Sequence, residues 1–324
     1  MTRWGILGPG RIAHKFAQDL LMVPDAELYA VASSDQARAE AFAAQYGARY
    51  AFDSYEALLT CDEVDVVYIA TPHVQHYANT MMLLGGNKAV LCEKPFAMNG
   101  RQVGEMVALA RSRQVFLMEA LWSRFMPAIL KAKALIDEGA IGKVQLLKAD
   151  FGFRATFDPE GRLFNKALGG GSLLDIGIYP LFLSYLLLGI PESIKAAANI
   201  GSTGVDEQCG MALTYAGGKM ALLDSTIMAK TDCIGLIYGE KGMIRIHGRF
   251  HESMAVSLEL DGQEPERFDF NRKTHGYDYE IQHVGDCLAQ GLTESRMWSL
   301  EDSENLMGLL DAIRQETGIV YDAD

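Results

Sequence analysis

Hydrophobic positions in the first 120 residues alternate between short apolar runs and segments with helical spacing. The apolar runs at 3–7, 26–32, 64–70, 88–92 and 115–118 predict strands. The run at 64–70 is nearly continuous and β-branched, which is typical of a strand buried on both faces. Repeated strand–helix–strand units of this kind predict a parallel sheet covered by helices on both faces, with right-handed crossovers.

After about residue 120 the pattern of apolar positions changes. A glycine-rich turn at 169–171 precedes a long apolar helix, and further helices are predicted near 127–138, 277–290 and 300–316. Closely spaced strand candidates occupy 143–153, 193–200, 207–215, 218–227, 232–239, 242–247 and 254–260. We therefore predict an α/β chain with two domains, a doubly wound parallel domain over 1–120 and an α+β domain with a mainly antiparallel sheet over 121–324.

The net charge and the cysteine content limit which binding partners and which cellular compartment are expected. The 324 residues carry 29 basic and 42 acidic side chains, a net charge of −13 that disfavours nucleic acid and anionic membrane partners. The apolar, uncharged run 176–191 is too short to span a bilayer and predicts a buried helix. Five scattered cysteines without a CxxC motif, together with an N-terminus unlike a signal peptide, predict a cytoplasmic protein with reduced thiols.

A glycine motif follows the first predicted strand and opens the first predicted helix. It reads Gly8-x-Gly10-x-x-Ala13, in which the glycines allow a tight turn and a close approach of the backbone to a pyrophosphate. The free N–H groups of the helix N-terminus favour the same anion. Gly8, Gly10, Arg11 and Ile12 are therefore predicted to bind a dinucleotide. The alternative is an ordinary glycine-rich turn.

The end of the second strand bears on which dinucleotide is bound. Ser33, Ser34 and Asp35 occupy this position, and Arg38 follows one helical turn later. Hydroxyl and guanidinium groups suit the 2′-phosphate of NADP, whereas an acidic residue at this position would suit the ribose of NAD. The alternative role for Asp35 is the N-cap of the next helix. We predict NADP as the preferred cofactor, with NAD as the alternative.

Five segments carry a resemblance to a known family. They are ATPHVQH (70–76), VLCEKP (90–95), FLMEALWSRFMP (116–127), GGGSLLDIGIYP (169–180) and GYDYEIQHV (276–284). With the N-terminal glycines, they resemble the Gfo/Idh/MocA family of NAD(P)-dependent oxidoreductases, in the branch that contains dihydrodiol and xylose dehydrogenases. The resemblance implies a Rossmann domain, a second domain whose open sheet mediates dimerisation, and an active site between them at the carboxyl ends of the parallel strands.

Lys94 and Tyr179 match the positions of the family's catalytic groups. By this resemblance, Lys94 hydrogen-bonds the carbinol oxygen and Tyr179 is the general acid/base, assisted by Lys94 because an unassisted phenol with a pKa near 10 is a poor base at pH 7. Asp175 lies four residues before Tyr179 on the same predicted helix and either orients the substrate or has a structural role. Residue type alone leaves two alternatives, a solvated Lys94 paired with Glu93 and a Tyr179 that caps a buried helix.

The resemblance also implies which residues line the cofactor and substrate pockets. Around the cofactor it implies Thr71, Pro72, His73, His76, Glu93, Lys94 and Arg124. Against the substrate it implies Trp122, Phe151 and Tyr179. Ordinary packing or surface positions are the alternatives for Trp122, Arg124 and Phe151. His73 and His76 have the spacing of a metal-binding pair, but no third ligand accompanies them, so we predict no metal site.

Two loops that would set substrate specificity, at 153–168 and 248–253, carry no recognisable motif. A surface turn is predicted for His251 in the second of them. The predicted reaction is hydride transfer between nicotinamide and a carbinol carbon of a sugar, polyol or cyclic diol, a small-molecule substrate. Two alternatives remain from other classes: an NAD-dependent glycosidase that oxidises its sugar transiently, and a non-catalytic dinucleotide-binding sensor. A homo-oligomer through the C-terminal sheet is also expected.

Overall fold

A computed structural model describes residues 1–324, which divide into two compact units. The first unit comprises Met1–Trp122 and Arg272–Glu304, and the second comprises Ser123–Asn271 and Asn305–Asp324. Each unit contains its own sheet, one of six strands and one of eight. The grouping of residues 272–304 with the first unit departs from our assignment of 121–324 to one domain, while the boundary near residue 120 stays a prediction.

The sheet of the first unit is entirely parallel and has the strand order β3-β2-β1-β4-β5-β6. Its strands are β1 (Thr2–Leu7), β2 (Ala26–Ala32), β3 (Tyr50–Phe52), β4 (Val66–Ile69), β5 (Ala89–Glu93) and β6 (Leu117–Ala120). This order confirms the doubly wound fold predicted from the sequence. The direction of strand addition reverses between β1 and β4, where such sheets bind their ligands beyond the carboxyl ends of the strands.

The sheet of the second unit has the strand order β14-β13-β12-β11-β7-β10-β9-β8. Its strands are β7 (Val144–Gly152), β8 (Ser193–Ile200), β9 (Asp206–Thr214), β10 (Met220–Thr226), β11 (Gly235–Gly239), β12 (Gly242–Ile246), β13 (Ala255–Leu260) and β14 (Glu266–Asp269). Only β7 and β10 pair in parallel, so the predicted mainly antiparallel sheet is confirmed. The sequence patterns did not predict β3 and β14, which are short edge strands.

Eight α-helices complete the two units. They are α1 (Arg11–Leu20), α2 (Gln36–Tyr46), α3 (His76–Gly85), α4 (Gly100–Arg113), α5 (Pro127–Asp137), α6 (Ile178–Leu188), α7 (Asp278–Ala289) and α8 (Leu300–Thr317). One turn of π-helix, Leu173–Gly177, directly precedes α6. The helical stretch Lys166–Leu188 is long and apolar enough to cross a bilayer. However, 83% of an apolar 18-residue part of it is buried inside the protein, as in a core helix.

Aromatic packing joins the first helix to the parallel sheet. α1 buries Phe16 and Leu20 on one face, and the ring of Phe16 stacks on Tyr68 of β4 at a centroid distance of 3.6 Å. Trp4 of β1 meets Phe16 edge-on at 5.5 Å. These large buried rings remove apolar surface from water and fix the height of α1 above β1 and β4. The start of α1 is thereby held at the carboxyl end of β1.

Polar contacts bind the 272–304 segment to the first unit. Asp19 of α1 accepts the backbone N–H groups of His275 and Tyr277 at 2.9 and 2.8 Å. The Leu117 N–H of β6 donates to the Thr293 carbonyl at 3.1 Å, which covers the edge of the parallel sheet. These partners are more than 150 residues apart in the chain, so no local pattern in the sequence indicates their pairing.

Candidate functional site

The glycine turn leaves an anion site at the start of α1. Gly10 is the N-cap of α1, no side chain caps the helix, and its first turn carries no acidic residue. The free N–H groups of this turn are the groups that bind a dinucleotide pyrophosphate in such folds. A Cβ built on Gly10 would meet only the Ala70 carbonyl, at 4.0 Å, so the backbone is open to a ligand there. The residues present therefore fit the predicted cofactor.

Gly8 and Gly10 are glycines for different reasons, which gives a paired prediction. Gly8 has a φ of +88°, and a Cβ there would lie 2.9 Å from Thr71 Cγ2. We expect Gly8→Ala to lower the free energy of unfolding by about 1–3 kcal/mol through strain and overlap. Gly10→Ala should keep native stability and weaken dinucleotide binding about ten-fold, because its methyl group occupies the path of the pyrophosphate. Denaturant unfolding and fluorescence titration measure the two effects, and equal affinity in Gly10→Ala would contradict the assignment.

In the turn after β2, the structure distinguishes buried and helix-capping residues from exposed residues that can contact the cofactor ribose. Ser33 is fully buried, and its hydroxyl accepts the Asp35 N–H at 3.2 Å. Asp35 caps α2 by accepting the Arg38 N–H at 3.1 Å. Ser34 and the Arg38 side chain are exposed at the same turn. Asp35 therefore has the capping role, and a hydroxyl and a guanidinium remain at the surface for a ribose or its phosphate.

A buried histidine links the segments that follow β4 and β5. His76 Nδ1 lies 2.8 Å from the Pro95 carbonyl oxygen, and His76 Nε2 lies 2.9 Å from that of Thr71. Burial lowers the pKa of His76, although both carbonyls favour the protonated ring. Pro72 caps the short 3-10 helix His73–Gln75, and His73 is also buried. Both ring nitrogens of His76 thus lie beside backbone carbonyls of the two segments, and no group of three or more metal-ligating side chains forms in the protein.

Lys94 stands directly beyond β5, next to a buried carboxylate. It is partly exposed, and its backbone N–H donates to Glu93 Oε2 at 3.2 Å. The Tyr68 hydroxyl donates to Glu93 Oε1 at 2.5 Å, and the Lys94–Pro95 peptide bond is cis. Burial, followed by the negative charge of Glu93, raises the pKa of Tyr68 well above 10, so Tyr68 remains a donor. Glu93 thus orients the start of the loop that carries Lys94.

A short 3-10 helix, Trp122–Phe125, follows β6. Trp122 is buried and stacks on Tyr277, with ring centroids 4.8 Å apart. Arg124 is partly exposed. Stacking on Tyr277 fixes the indole of Trp122 in the first unit, a contact that the sequence did not indicate.

In the second unit, the triple-glycine turn is held by Asp206 of β9. Asp206 Oδ2 accepts the Ser172 hydroxyl at 2.8 Å and the Leu173 N–H at 2.7 Å. A Cβ on Gly171, whose φ is +118°, would lie 2.2 Å from Asp206 Oδ1, so the turn requires glycine there. Asp206 thereby anchors the start of the π-helix Leu173–Gly177.

This anchor predicts a pH-dependent stability. Burial raises the pKa of Asp206 from 3.8 to about 6, against the opposing hydrogen bonds of Ser172 and Leu173. Between these pH values the folded protein holds a proton that the unfolded chain has lost, so stability falls as the pH rises from about 4 to 6. The unfolding free energy of the wild type, measured relative to that of Asp206→Asn, should therefore fall by about 2 kcal/mol as the pH rises from about 4 to 6. Urea titrations at pH 4.5 and 7 test this, and a pH-independent difference would contradict it.

Asp175 and Tyr179 lie on the helical segment that begins at this anchor. Asp175 is buried in the π-helix, and Arg162 pairs with it in a bidentate manner at 2.9 and 3.0 Å. A π-helical turn inside a helix is frequently found at functional sites. Arg162 comes from the 153–168 loop, in which the sequence showed no motif. It is a functional candidate that sequence analysis missed.

Tyr179 is buried in an aromatic wall of the second unit. Its ring centroid lies 5.6 Å from that of Phe151 and 5.0 Å from that of His251. Phe151 and His251 stack at 4.2 Å, and the Ser123 hydroxyl donates to the His251 carbonyl at 2.6 Å. The predicted surface turn at His251 is therefore wrong, because stacking on Phe151 leaves only 2% of the residue exposed. Arg249, whose Nη2 lies 3.2 Å from His251 Nε2, forms an ion pair with Glu252 beside this wall.

The two units thus present different chemistry. The first contains the dinucleotide turn, the exposed Ser34 and Arg38, and Lys94 beyond a parallel strand. The second contains a buried phenol in an aromatic wall and an aspartate paired with arginine. A dinucleotide fold can hold a hydride carrier, and lysine and tyrosine are among the side chains that can donate or accept a proton.

Comparisons with known proteins agree with this chemistry. Residues 2–121 match a family model described as an oxidoreductase family with an NAD-binding Rossmann fold, and residues 129–245 match the GFO/IDH/MocA C-terminal domain. The chain is 39% identical to trans-1,2-dihydrobenzene-1,2-diol dehydrogenase from Xenopus tropicalis, over 99% of both chains. The human enzyme of the same name is 35% identical, over 99% of this chain and 98% of its own.

Two solved structures share the whole fold. Aldose-aldose oxidoreductase from Caulobacter crescentus, complexed with glycerol, is 25% identical with a TM-score of 0.89, over 98% of this chain and 97% of its own. A 3-ketoreductase from Actinomadura kijaniata, in complex with NADP and TDP-benzene, is 28% identical with a TM-score of 0.87, over 98% of both chains. Both similarities extend through the two units.

Proposed function

The chain belongs to the Gfo/Idh/MocA family of NAD(P)-dependent dehydrogenases and reductases, and from this premise we propose that it acts on the carbinol group of a sugar, polyol or cyclic diol. The observation that carries the proposal is the buried phenol of Tyr179 in a wall formed with Phe151 and His251. Flat aromatic rings suit the apolar face of a ring diol or sugar, and the hydroxyl supplies its proton transfer. The relatives' names, diol dehydrogenase and aldose oxidoreductase, support the same substrate class.

Most of the residues predicted to bind the cofactor belong to the first unit. We propose that the N-terminus of α1 and the turn at Gly8 and Gly10 hold the pyrophosphate, with Arg11 and Ile12 donating backbone N–H groups. Thr71, Pro72, His73 and His76 would line the nicotinamide end, with Glu93, Lys94 and Arg124. When bound, the nicotinamide accepts or supplies the hydride. The side chains of the protein would transfer the proton and orient the substrate.

NADP is the proposed preference, because Ser34 and Arg38 are exposed at the turn while Asp35 is used as a helix cap. We expect Arg38→Ala to raise KM for NADP about ten-fold through loss of a charged hydrogen bond to the 2′-phosphate. KM for NAD should stay unchanged, because NAD lacks that phosphate. Arg113→Ala, exposed on α4, is the matched control. Steady-state kinetics with both dinucleotides measure the effect, and equal losses with NAD and NADP would refute a 2′-phosphate contact.

We propose that Tyr179 is the general acid/base and that Lys94 assists it by hydrogen-bonding the carbinol oxygen and favouring the phenolate. Asp175 would orient a substrate hydroxyl, with its carboxylate held by Arg162. Trp122 and Phe151 would form the faces of the substrate pocket. Burial of Tyr179 and Phe151 supports these roles, because a protected phenol exchanges its proton with substrate rather than with bulk water.

A substrate panel tests the proposal. Aldoses, polyols and cyclic trans-diols are incubated with NADP or NAD, and absorbance is followed at 340 nm. The expected result is reduction of the dinucleotide by at least one member of the panel. Product formation without a net absorbance change would instead identify a glycosidase with transient oxidation. Dinucleotide binding with no turnover of any member would favour a sensor, and either result would overturn the proposed function.

We also propose a cytoplasmic homo-oligomer that forms through the open sheet. On its outer face, Leu222 of β10 and Leu236 of β11 are register neighbours of Lys148 in β7. Leu222 is 41% exposed, which is high for a leucine in the middle of a sheet. All five cysteines are free and buried, which supports a reducing compartment. Sedimentation equilibrium measures the assembly, and a monomer at micromolar concentration would contradict it.

A further inference from the structure

A buried glutamate in the first unit lies beneath the loop that carries Lys94. Glu119, on β6, is 2% exposed. Its Oε1 accepts the backbone N–H of Phe96 at 3.1 Å, and its Oε2 accepts the indole N–H of Trp298 at 3.2 Å. Phe96 is two residues after Lys94, and Trp298 belongs to the 272–304 segment that returns to this unit. One carboxyl group therefore connects the lysine loop to a distant part of the chain.

A carboxyl group is unusual at position 119, inside a buried strand. Glu119 is the register partner of Cys92 in β5, and its strand neighbours Leu117, Met118 and Ala120 are all apolar and fully buried. Burying a carboxylate costs free energy that an apolar side chain of similar volume would avoid. The hydrogen bonds it makes are thus its distinguishing contribution, because removing it would leave two buried N–H donors without this acceptor.

We infer that Glu119 is a positioning residue for the reaction, whose carboxylate fixes the loop from Lys94 to Phe96 so that the lysine is presented in one orientation. The inference rests on the proposed catalytic role of Lys94. This positioning role differs from a purely structural role in its dependence on pH, because the strength of both hydrogen bonds depends on the charge of Glu119.

The environment places that change of charge near neutral pH. Burial raises the pKa of Glu119 to about 7, against the lowering effects of the Ser303 hydroxyl, the Trp298 indole and the Phe96 N–H. The negative charge of Glu93 on β5 raises the pKa of Glu119 further, while the neighbouring Cys92 thiol is neutral because burial raises its pKa well above 9. Above pH 7 the ionised carboxylate accepts both N–H groups at full strength, so the loop should be held best there.

The experiment compares Glu119→Gln with Glu301→Gln, which removes the same charge at an exposed position of α8. We measure kcat and KM from pH 5.5 to 9 with the substrate identified by the panel, and hydrogen exchange of the Phe96 amide by NMR. Glu119→Gln should lower kcat about ten-fold at pH 8 through misplacement of the lysine, with KM for the dinucleotide unchanged. The rise of kcat near pH 7 should disappear, and Phe96 exchange should accelerate about ten-fold or more.

Trp298→Phe provides a second variant, which replaces the indole by a smaller aromatic ring without an N–H and remains informative if Glu119→Gln fails to fold. Loss of a donor to the carboxylate raises its pKa, so the rise of kcat should move to higher pH. The inference would be overturned if Glu119→Gln matched Glu301→Gln in Phe96 exchange and in its kcat profile. Faster Phe96 exchange in Glu119→Gln with an unchanged kcat would overturn it as well. If the panel shows no turnover, the proposed function fails separately, and unchanged Phe96 exchange would then overturn the loop role as well.

Discussion

Replacing Tyr179 with phenylalanine is expected to lower kcat by about 10²–10⁴-fold, the usual contribution of a general acid/base. The substitution removes one hydroxyl and keeps the ring that packs against Phe151 and His251. Folding and dinucleotide affinity should therefore stay at wild-type values, because the dinucleotide turn lies in the other unit. Steady-state kinetics with the panel substrate and a dinucleotide titration measure both quantities.

Tyr185→Phe is the matched control for this prediction. Tyr185 lies on the same helix α6, and its hydroxyl accepts a hydrogen bond from Asn305 at 3.1 Å, outside the aromatic wall. Its loss should cost about 1 kcal/mol of stability and leave kcat unchanged. If Tyr179→Phe retained more than a tenth of wild-type kcat, the proton would be transferred by another group and the assignment of Tyr179 would be abandoned.

The second large effect is expected for Lys94→Met, which should lower kcat by about 10²–10³-fold at pH 7. Methionine keeps the unbranched shape of lysine and removes the ammonium that is proposed to bind the carbinol oxygen. Without a cation to stabilise the phenolate, the residual activity should continue to rise with pH toward the ordinary phenol pKa near 10. The pH dependence of kcat therefore separates loss of electrostatic assistance from simple misfolding.

Lys273→Met, at an exposed position of the first unit, controls for loss of a positive charge. It should match the wild type in kcat and in its pH profile. A Lys94→Met variant with a depressed kcat but the wild-type pH profile would show that Lys94 does not tune the base. In that case its role would be confined to binding the substrate oxygen.

The fold could be predicted from the sequence where local pattern and burial coincide. Strand β4 (Val66–Ile69) is buried at every position, and its sequence is an unbroken apolar run. In the second unit, the predicted strands 207–215 and 218–227 correspond to β9 and β10, which pair across a turn at Gly217 and Gly218. Edge strands β3 and β14 escaped prediction, because they are partly exposed and short and therefore carry little hydrophobic pattern.

The candidate site could be predicted only where a residue belongs to a motif. Lys94, Tyr179 and Asp175 stand in recognisable segments, but Arg162 and His251 come from loops without one. Arg162 became a candidate through its pairing with Asp175, and His251 through its stacking on Phe151. Both contacts join a loop residue to a residue of a different element, and sequence periodicity reports only on neighbours within one element.

The sequence by itself determined most of the helices and strands and the functional residues at their ends, because strand burial, helix spacing and the Gly8–Gly10 turn are local properties of the chain. Only the tertiary structure decided that Arg272–Glu304 joins the first unit and that Glu119 lies under the Lys94 loop. Each of these depends on which distant groups satisfy a buried donor or acceptor. That choice is made by the packing of the whole unit, where an unpaired polar group is costly, and no short stretch of sequence encodes it.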